Sequence, residues 1–313
     1  MSSRDGSKFM LFLLLYVIGL QLFAVPIILG LMGYEGIPAS WLTPQGRIVQ
    51  LFVMLMLPLG LWAFVNREKF SGFMPSKRLD FTNVVLIVVL SFTLQPIMML
   101  ISGITTLFTP NEVGEMMVEM IDYPLWLLVL SMAVSPALFE EIVFRGYIQS
   151  KYQAAKVYKV VLINGLFFAI MHLNLHQFTY VFAMGVIFSL LVYYTKNLWA
   201  GVLAHFIMNA SQVVILRFIV WFESIADESA GLENAEAVNT TPAMIIFLAF
   251  IVIGALILSI VLLRIFIRHN RVNIEKMPVE TQMIRSKFDP YSIAIVGIFV
   301  IFMGFMHFIS PRL

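Results

Sequence analysis

The 313-residue chain is 60% hydrophobic and only 12% charged, a balance that no soluble domain of this size can cover with polar surface. It therefore reads as a polytopic membrane protein with no nucleic-acid partner expected, and the formal net charge of +2 says little by itself because the sign of charge alternates from loop to loop. The absence of cysteine excludes disulfides, thiolate catalysis and Cys-ligated metals.

In chain order, the apolar stretch 9–32 is too long for a signal-peptide core and has no small-x-small cleavage site after it, so a retained first helix is expected. A membrane-crossing helix needs about 20 apolar residues for a hydrocarbon core about 30 Å thick. On that template the expected spans are 10–32, 46–65, 82–108, 124–149, 159–174, 177–195, 198–220, 243–267 and 289–309. That gives nine crossings, or eight if one short central segment is re-entrant. The N-terminal tail carries Arg4 and Lys8, whereas 33–45 carries Glu35 and no basic residue. Arg67, Lys69, Lys77 and Arg78 follow, then the acidic Glu112, Glu115, Glu119 and Asp122. Lys151, Lys156 and Lys159 precede a second acidic segment, 222–241, and Arg264, Arg268, Arg271, Lys276, Arg285 and Lys287 close the alternation. Basic loops thus fall on one side and acidic loops on the other, which by the positive-inside rule places the N-terminus in the cytoplasm and, with nine crossings, the C-terminus outside. The expected architecture is all-α, a single bundle over 1–313 with no internal repeat. Its location is the membrane, as a prokaryotic plasma-membrane protein. The 222–241 and 268–288 connections are expected to be partly disordered or interfacial.

Intramembrane ions mark candidate sites, because a charge at mid-bilayer depth costs about 2.5–3.5 kcal/mol on insertion scales. The fourth span holds Glu140, Glu141 and Arg145. The two acids differ by about 100° around a helix and cannot face the same way. Glu141 lies four residues before Arg145, the favourable order for a same-face pair, while Glu140 shares its face with Pro136 and Phe144. Arg145 can therefore neutralise Glu141 and leave Glu140 to present a carboxylate to a cavity. Ser135-Pro136 should kink the helix one turn earlier. In the fifth span Asn164, Phe168 and His172 form one stripe, and in the seventh His205 and Asn209 share a face. A desolvated glutamate suits a general base, His172 could orient a water, and His205 and Asn209 are donors of the kind that stabilise an oxyanion.

Each residue also has a plainer reading. Glu141–Arg145 is equally a structural pair, and a single membrane His or Asn is more often an interhelical hydrogen bond. His176 reads as interfacial and structural. Gln21, Gln95-Pro96 and the Met- and Phe-rich faces read as packing and lipid contact. Other membrane-protease chemistries lack their residues: there is no H-E-x-x-H and no G-x-S-x-G, and Asp5, Asp80, Asp122, Asp227 and Asp289 all fall in tails, loops or helix ends.

The three motifs, Glu140-Glu141-Ile142-Val143-Phe144-Arg145, Phe168-Ala169-Ile170-Met171-His172 and His205-Phe206-Ile207-Met208-Asn209, resemble in order and spacing those of the CAAX protease and bacteriocin-processing (CPBP, or Abi) family. That family includes the type II CAAX prenyl endopeptidases. The resemblance covers 126–212 as a catalytic core, leaving 1–125 and 213–313 as flanking helices. It implies a glutamate-dependent intramembrane protease without a catalytic metal or other cofactor. Glu140 would activate water beside His172, His205 and Asn209 would be oxyanion donors, and Glu141, Arg145 and Phe168 would support the geometry. His172-x-x-x-His176 superficially offers metal ligands, but His176 is expected past the helix end, whereas zinc ligands must converge within about 2.0–2.2 Å of one point. The implied substrate is a membrane-associated peptide or protein, lipidated at its C-terminus or a leader, cleaved at a site opening toward the cytoplasm. Counting along the spans places Glu140 and His205 near the cytoplasmic third and His172 several ångströms deeper. Two rival readings are a proton-coupled transporter, against which no inverted repeat is visible, and a non-catalytic immunity or scaffold protein.

Overall fold

The computed structural model describes residues 3–34, 43–69, 77–152, 156–230, 242–275 and 289–309. Eight helices among them are long and apolar enough to cross a membrane: α1 (Arg4–Leu31), α2 (Pro44–Val65), α3 (Phe81–Thr106), α5 (Leu125–Lys151), α7 (Leu175–Thr195), α8 (Leu198–Phe222), α9 (Met244–Arg271) and α10 (Pro290–Phe308). Two shorter ones complete the order, α4 (Glu112–Glu119) and α6 (Val157–Met171). The acidic and basic connections expected to lack structure begin as helix, since helical residues continue from α8 to Ala230 and from α9 to Glu275. Glu35 and the remainder of both connections, with Lys276, Arg285 and Lys287, lie outside the described residues.

Side-chain contacts sort the connections into two ends. At one, Lys151 pairs with Glu68 (2.5 Å), Asn197 donates to the Lys77 carbonyl, His269 meets Asp80 (3.1 Å), and Ser7 meets Tyr152. At the other, Asn174 donates to Glu112 (2.9 Å), His176 meets Ser102 (3.1 Å), and Arg217 donates to the Ile121 carbonyl. These are the basic and acidic ends expected from the loop charges. The Ser7 hydroxyl also reaches Ser292 (3.1 Å) and donates to Asp289 (2.7 Å), so α1 and α10 start at the same end and run parallel. Parallel first and last helices require an odd number of passages. The 15-residue α6, about 22 Å long, therefore counts as one, and the bundle is traversed nine times.

The helices are not continuous α-spirals. Wide, π-type turns occur at Leu20–Ala24, Phe52–Met56, Leu130–Val134 and Ile142–Ile148. The first three are each followed two residues later by Pro26, Pro58 or Pro136, which has no N–H to give the carbonyl four residues back. The kink expected at Pro136 takes this form.

α6 and α7 form the most extensively packed pair. A Cβ on Gly185 would come within 2.9 Å of Gly165 Cα, so the crossing needs both glycines. α4 was not expected within the acidic 109–123 stretch. Asn111 caps it, its side chain accepting from Gly114 N (3.0 Å), and Glu112 and Glu115 occupy the first turn where the helix dipole favours acids.

Candidate active site

Glu141 is fully buried, and its Oε1 accepts from both Arg145 Nη1 (2.8 Å) and His205 Nδ1 (3.0 Å). Arg145 is itself 1% exposed; its Nη2 donates to the Gly185 carbonyl (3.0 Å), and its guanidinium lies 4.2 Å from the Phe168 ring centre. Phe188 stacks on His205 (5.0 Å between centres, 23°). A carboxylate that two donors hold, with an arginine locked against an aromatic face and a backbone carbonyl, is a fixed assembly rather than a reactive one. It joins α5, α7 and α8. The expectation that Arg145 neutralises Glu141 thus describes the geometry, with His205 as an unforeseen second partner.

Glu140 is arranged differently. Its Oε2 has no hydrogen-bond partner and lies 3.9 Å from His205 Nε2, and the carboxylate faces a cavity of about 290 Å³. His172, His205, Asn209, Pro136 and Phe144 line the same cavity. His172 Nδ1 is 2.8 Å from the Phe168 carbonyl, which can only accept, so Nδ1 carries the proton and Nε2 is left for the cavity. By the same logic Glu141 takes the Nδ1 proton of His205, and only the imidazolium form of His205 has an Nε2–H to donate. Phe168 is the common neighbour, its ring centre 4.9 Å from that of His172 and 5.9 Å from that of His205. Whatever its depth, His172, which directly follows α6 at Met171, lines the same cavity as Glu140 and His205.

Two amides have structural employment. Asn209 Nδ2 donates to the Met132 carbonyl (3.1 Å), the acceptor that Pro136 leaves without an N–H. Asn164 Nδ2 donates to the Phe144 carbonyl (2.7 Å) within the second wide turn of α5, not into the site. His176, read as interfacial, is 1% exposed in the first turn of α7 and meets Ser102 and Thr109. Among the described residues no three His, Cys, Asp or Glu side chains converge on a metal-sized point.

Several contributors carried no signal in the sequence. A Cβ on Gly201 would collide with Glu141 Oε2, so that glycine makes room for the buried carboxylate. Gln21, read as packing and lipid contact, is exposed and also lines the cavity, as do Arg47 and Gln50, and the wide turn at Leu20–Ala24 contains Gln21. Arg47 went unremarked because it lies in the first turn of an otherwise apolar span. The cavity is also lined by Val113, Met116 and Met117 of α4 and by Gln177 and Tyr180 near the α6–α7 turn. All of these come from the acidic end. The cavity therefore lies on the acidic-end side of the Glu141–Arg145 pair, reversing the expectation of an opening at the basic, cytoplasmic end. A second, almost wholly apolar cavity of about 980 Å³ between α3, α8 and α9 is lined by none of Glu140, His172, His205 and Asn209.

Residues 122–211, less than a third of the chain, match the family model described as Type II CAAX prenyl endopeptidase Rce1-like. Among curated proteins, the chain is similar to "Putative membrane peptidase YdiL" of Bacillus subtilis (strain 168), 33% identical over 90 residues. That match spans 28% of this chain and 36% of the relative. No solved structure matches.

Proposed function

We propose that the protein is an intramembrane endopeptidase in which Glu140 activates the attacking water. The observation that carries this reading is the division of labour between adjacent acids: each has an unpartnered Oε2, but Glu141 is fully buried with two donors on its Oε1, whereas Glu140 lines a cavity that two imidazoles share. A water donating to Glu140 Oε2 and His172 Nε2 would be aligned for attack on a peptide carbonyl. Glu140 takes the proton as the C–O bond forms and returns it to the departing amine as the C–N bond breaks. The oxyanion would be met by the Asn209 N–H not given to Met132 and by the Nε2 edge of His205, whose ring Glu141 holds in place through Nδ1. No step in this scheme uses a metal or other cofactor.

The substrate is a membrane-associated peptide or protein, either lipidated near its C-terminus, as the family description suggests, or a leader peptide. With the basic end in the cytoplasm by the positive-inside rule, the N-terminus is cytoplasmic and the cavity opens toward the opposite face. The test is cleavage of a mixed peptide pool by purified, reconstituted protein, read by mass spectrometry. Wild type should cleave, Glu140→Gln and His172→Ala should not, and strong chelation should change nothing. Equal cleavage by both variants would sink the mechanism, and loss of cleavage on chelation would assign the water to a metal instead.

A further inference from the structure

One cation in the cavity is used neither by the buried assembly nor by the proposed chemistry. Arg47 occupies the first turn of α2, just after Thr43, whose side chain caps that helix by accepting from Gly46 N (3.1 Å). A helix N-terminus disfavours a cation, and the acidic end of a membrane protein is where arginine is scarce. Arg47 nonetheless points inward. Its Nε is buried without a hydrogen-bond partner, its Nη1 contacts only the weakly accepting Met116 sulfur, and it forms no ion pair within 4 Å among the described residues. It lines the cavity that contains Glu140, and the Gln50 and Gln21 amides line the same acidic-end portion. Arg47 is half-buried and feels the Glu140 charge without pairing with it, so a guanidinium partly withdrawn from water gains when an anion arrives.

We propose that Arg47 is an anchoring residue for a carboxylate of the peptide substrate. The guanidinium takes that group in a bidentate hydrogen-bonded pair, and Gln50 and Gln21 hydrogen-bond the adjoining peptide backbone. Glu140 does not already fill this role, since its carboxylate is directed at the imidazoles and makes no ion pair with Arg47. Two sources of the carboxylate share this chemistry, the peptide's free C-terminus and an Asp or Glu side chain. The inference rests on the peptidase reading for the nature of the ligand, but it concerns binding and is testable without turnover.

The experiment uses full-length protein carrying Glu140→Gln, so that bound peptide is not consumed, and fluorescein-labelled hexapeptide pools made without Asp or Glu. One pool ends in a free carboxylate, a second in an amide, and a third in an amide with one internal Asp. Fluorescence anisotropy should show the free-acid pool binding about ten- to a hundredfold more tightly than the amide pool. Adding Arg47→Gln should abolish that preference, and Arg47→Lys should keep part of it. If the Asp-containing amide pool binds as the free acid does, and also through Arg47, the carboxylate is read from a side chain. Equal binding of acid and amide pools, or a preference that survives Arg47→Gln, overturns the assignment. Should Arg47→Gln fail to fold, the pool comparison in the parent and in Arg47→Lys still decides. Failure of the cleavage mechanism would appear separately, as turnover by Glu140→Gln.

Discussion

α5 and α9 are both long and apolar enough to span a bilayer, yet 61% of the core window of α5 is buried and only 6% of that of α9. α5 seals Ser131, Ser135, Glu140, Glu141, Arg145 and Gln149 inside the bundle, whereas α9 turns Phe247, Phe250 and Ile257 outward. Lipid is as apolar as leucine, so hydrophobicity does not distinguish these two environments. What separates them is how many polar groups each must bury against its neighbours. The helices neighbouring α5 supply the partners: Gly185 and Ser189 carbonyls from α7, His205 from α8, Asn164 from α6 and Trp62 from α2. α9 needs few, its buried polar groups being Ser259 and Asn270, which bond Thr93 and Asn83 of α3.

The contrast predicts a ranking of mutational effects. Arg145→Met should be the most damaging, because it leaves Glu141 charged and sealed; breaking such a pair costs about 3–5 kcal/mol. The purified variant should lose most of its thermal unfolding transition in detergent. Gly201→Ala comes next, at about 1–3 kcal/mol of overpacking, and it should lower cleavage as well, because the displaced Glu141 no longer orients His205. Lys196 gives a smaller, pH-dependent effect. Burial, reinforced by Lys77, pushes its ammonium from the usual 10.5 down to about 8. The unfolded chain then holds the proton more tightly than the folded one, so stability should rise between about pH 8 and 10.5. The rise should vanish in Lys196→Met when the unfolding midpoint is followed across that range. Phe250→Ala, on the lipid face of α9, should change stability by less than about 0.5 kcal/mol. A larger loss there than at Gly201 would break the comparison.

The parts of this arrangement that were legible in the sequence are those set by a single helix. The i,i+4 spacing of Glu141 and Arg145 already assigned the two acids different faces, and Pro136 already marked an irregular turn. The site needed the tertiary structure wherever two helices meet. Gly201 and Phe188 look like ordinary span residues until α8 and α7 bring them against Glu141 and His205. Asn209 looked available for catalysis until Met132, deprived of a donor by Pro136, took one of its hydrogens. The direction of the cavity was misread because depth was counted from assumed span edges, whereas a short α6 and the unforeseen α4 contribute to its lining. Arg47 is passed over, and Gln21 reads only as packing and lipid contact, for a related reason: a lone polar residue in an apolar span has no periodicity to reveal which face it occupies.

The central claim is that adjacent glutamates do different work, one holding the bundle and one doing chemistry. Its most direct test is to measure cleavage and thermal unfolding together in Glu140→Gln and Glu141→Gln. The account predicts that Glu140→Gln unfolds at the wild-type temperature but cleaves about 10²–10⁴-fold more slowly, while Glu141→Gln unfolds at a clearly lower temperature. A folded Glu140→Gln protein that cleaves at the wild-type rate would contradict it.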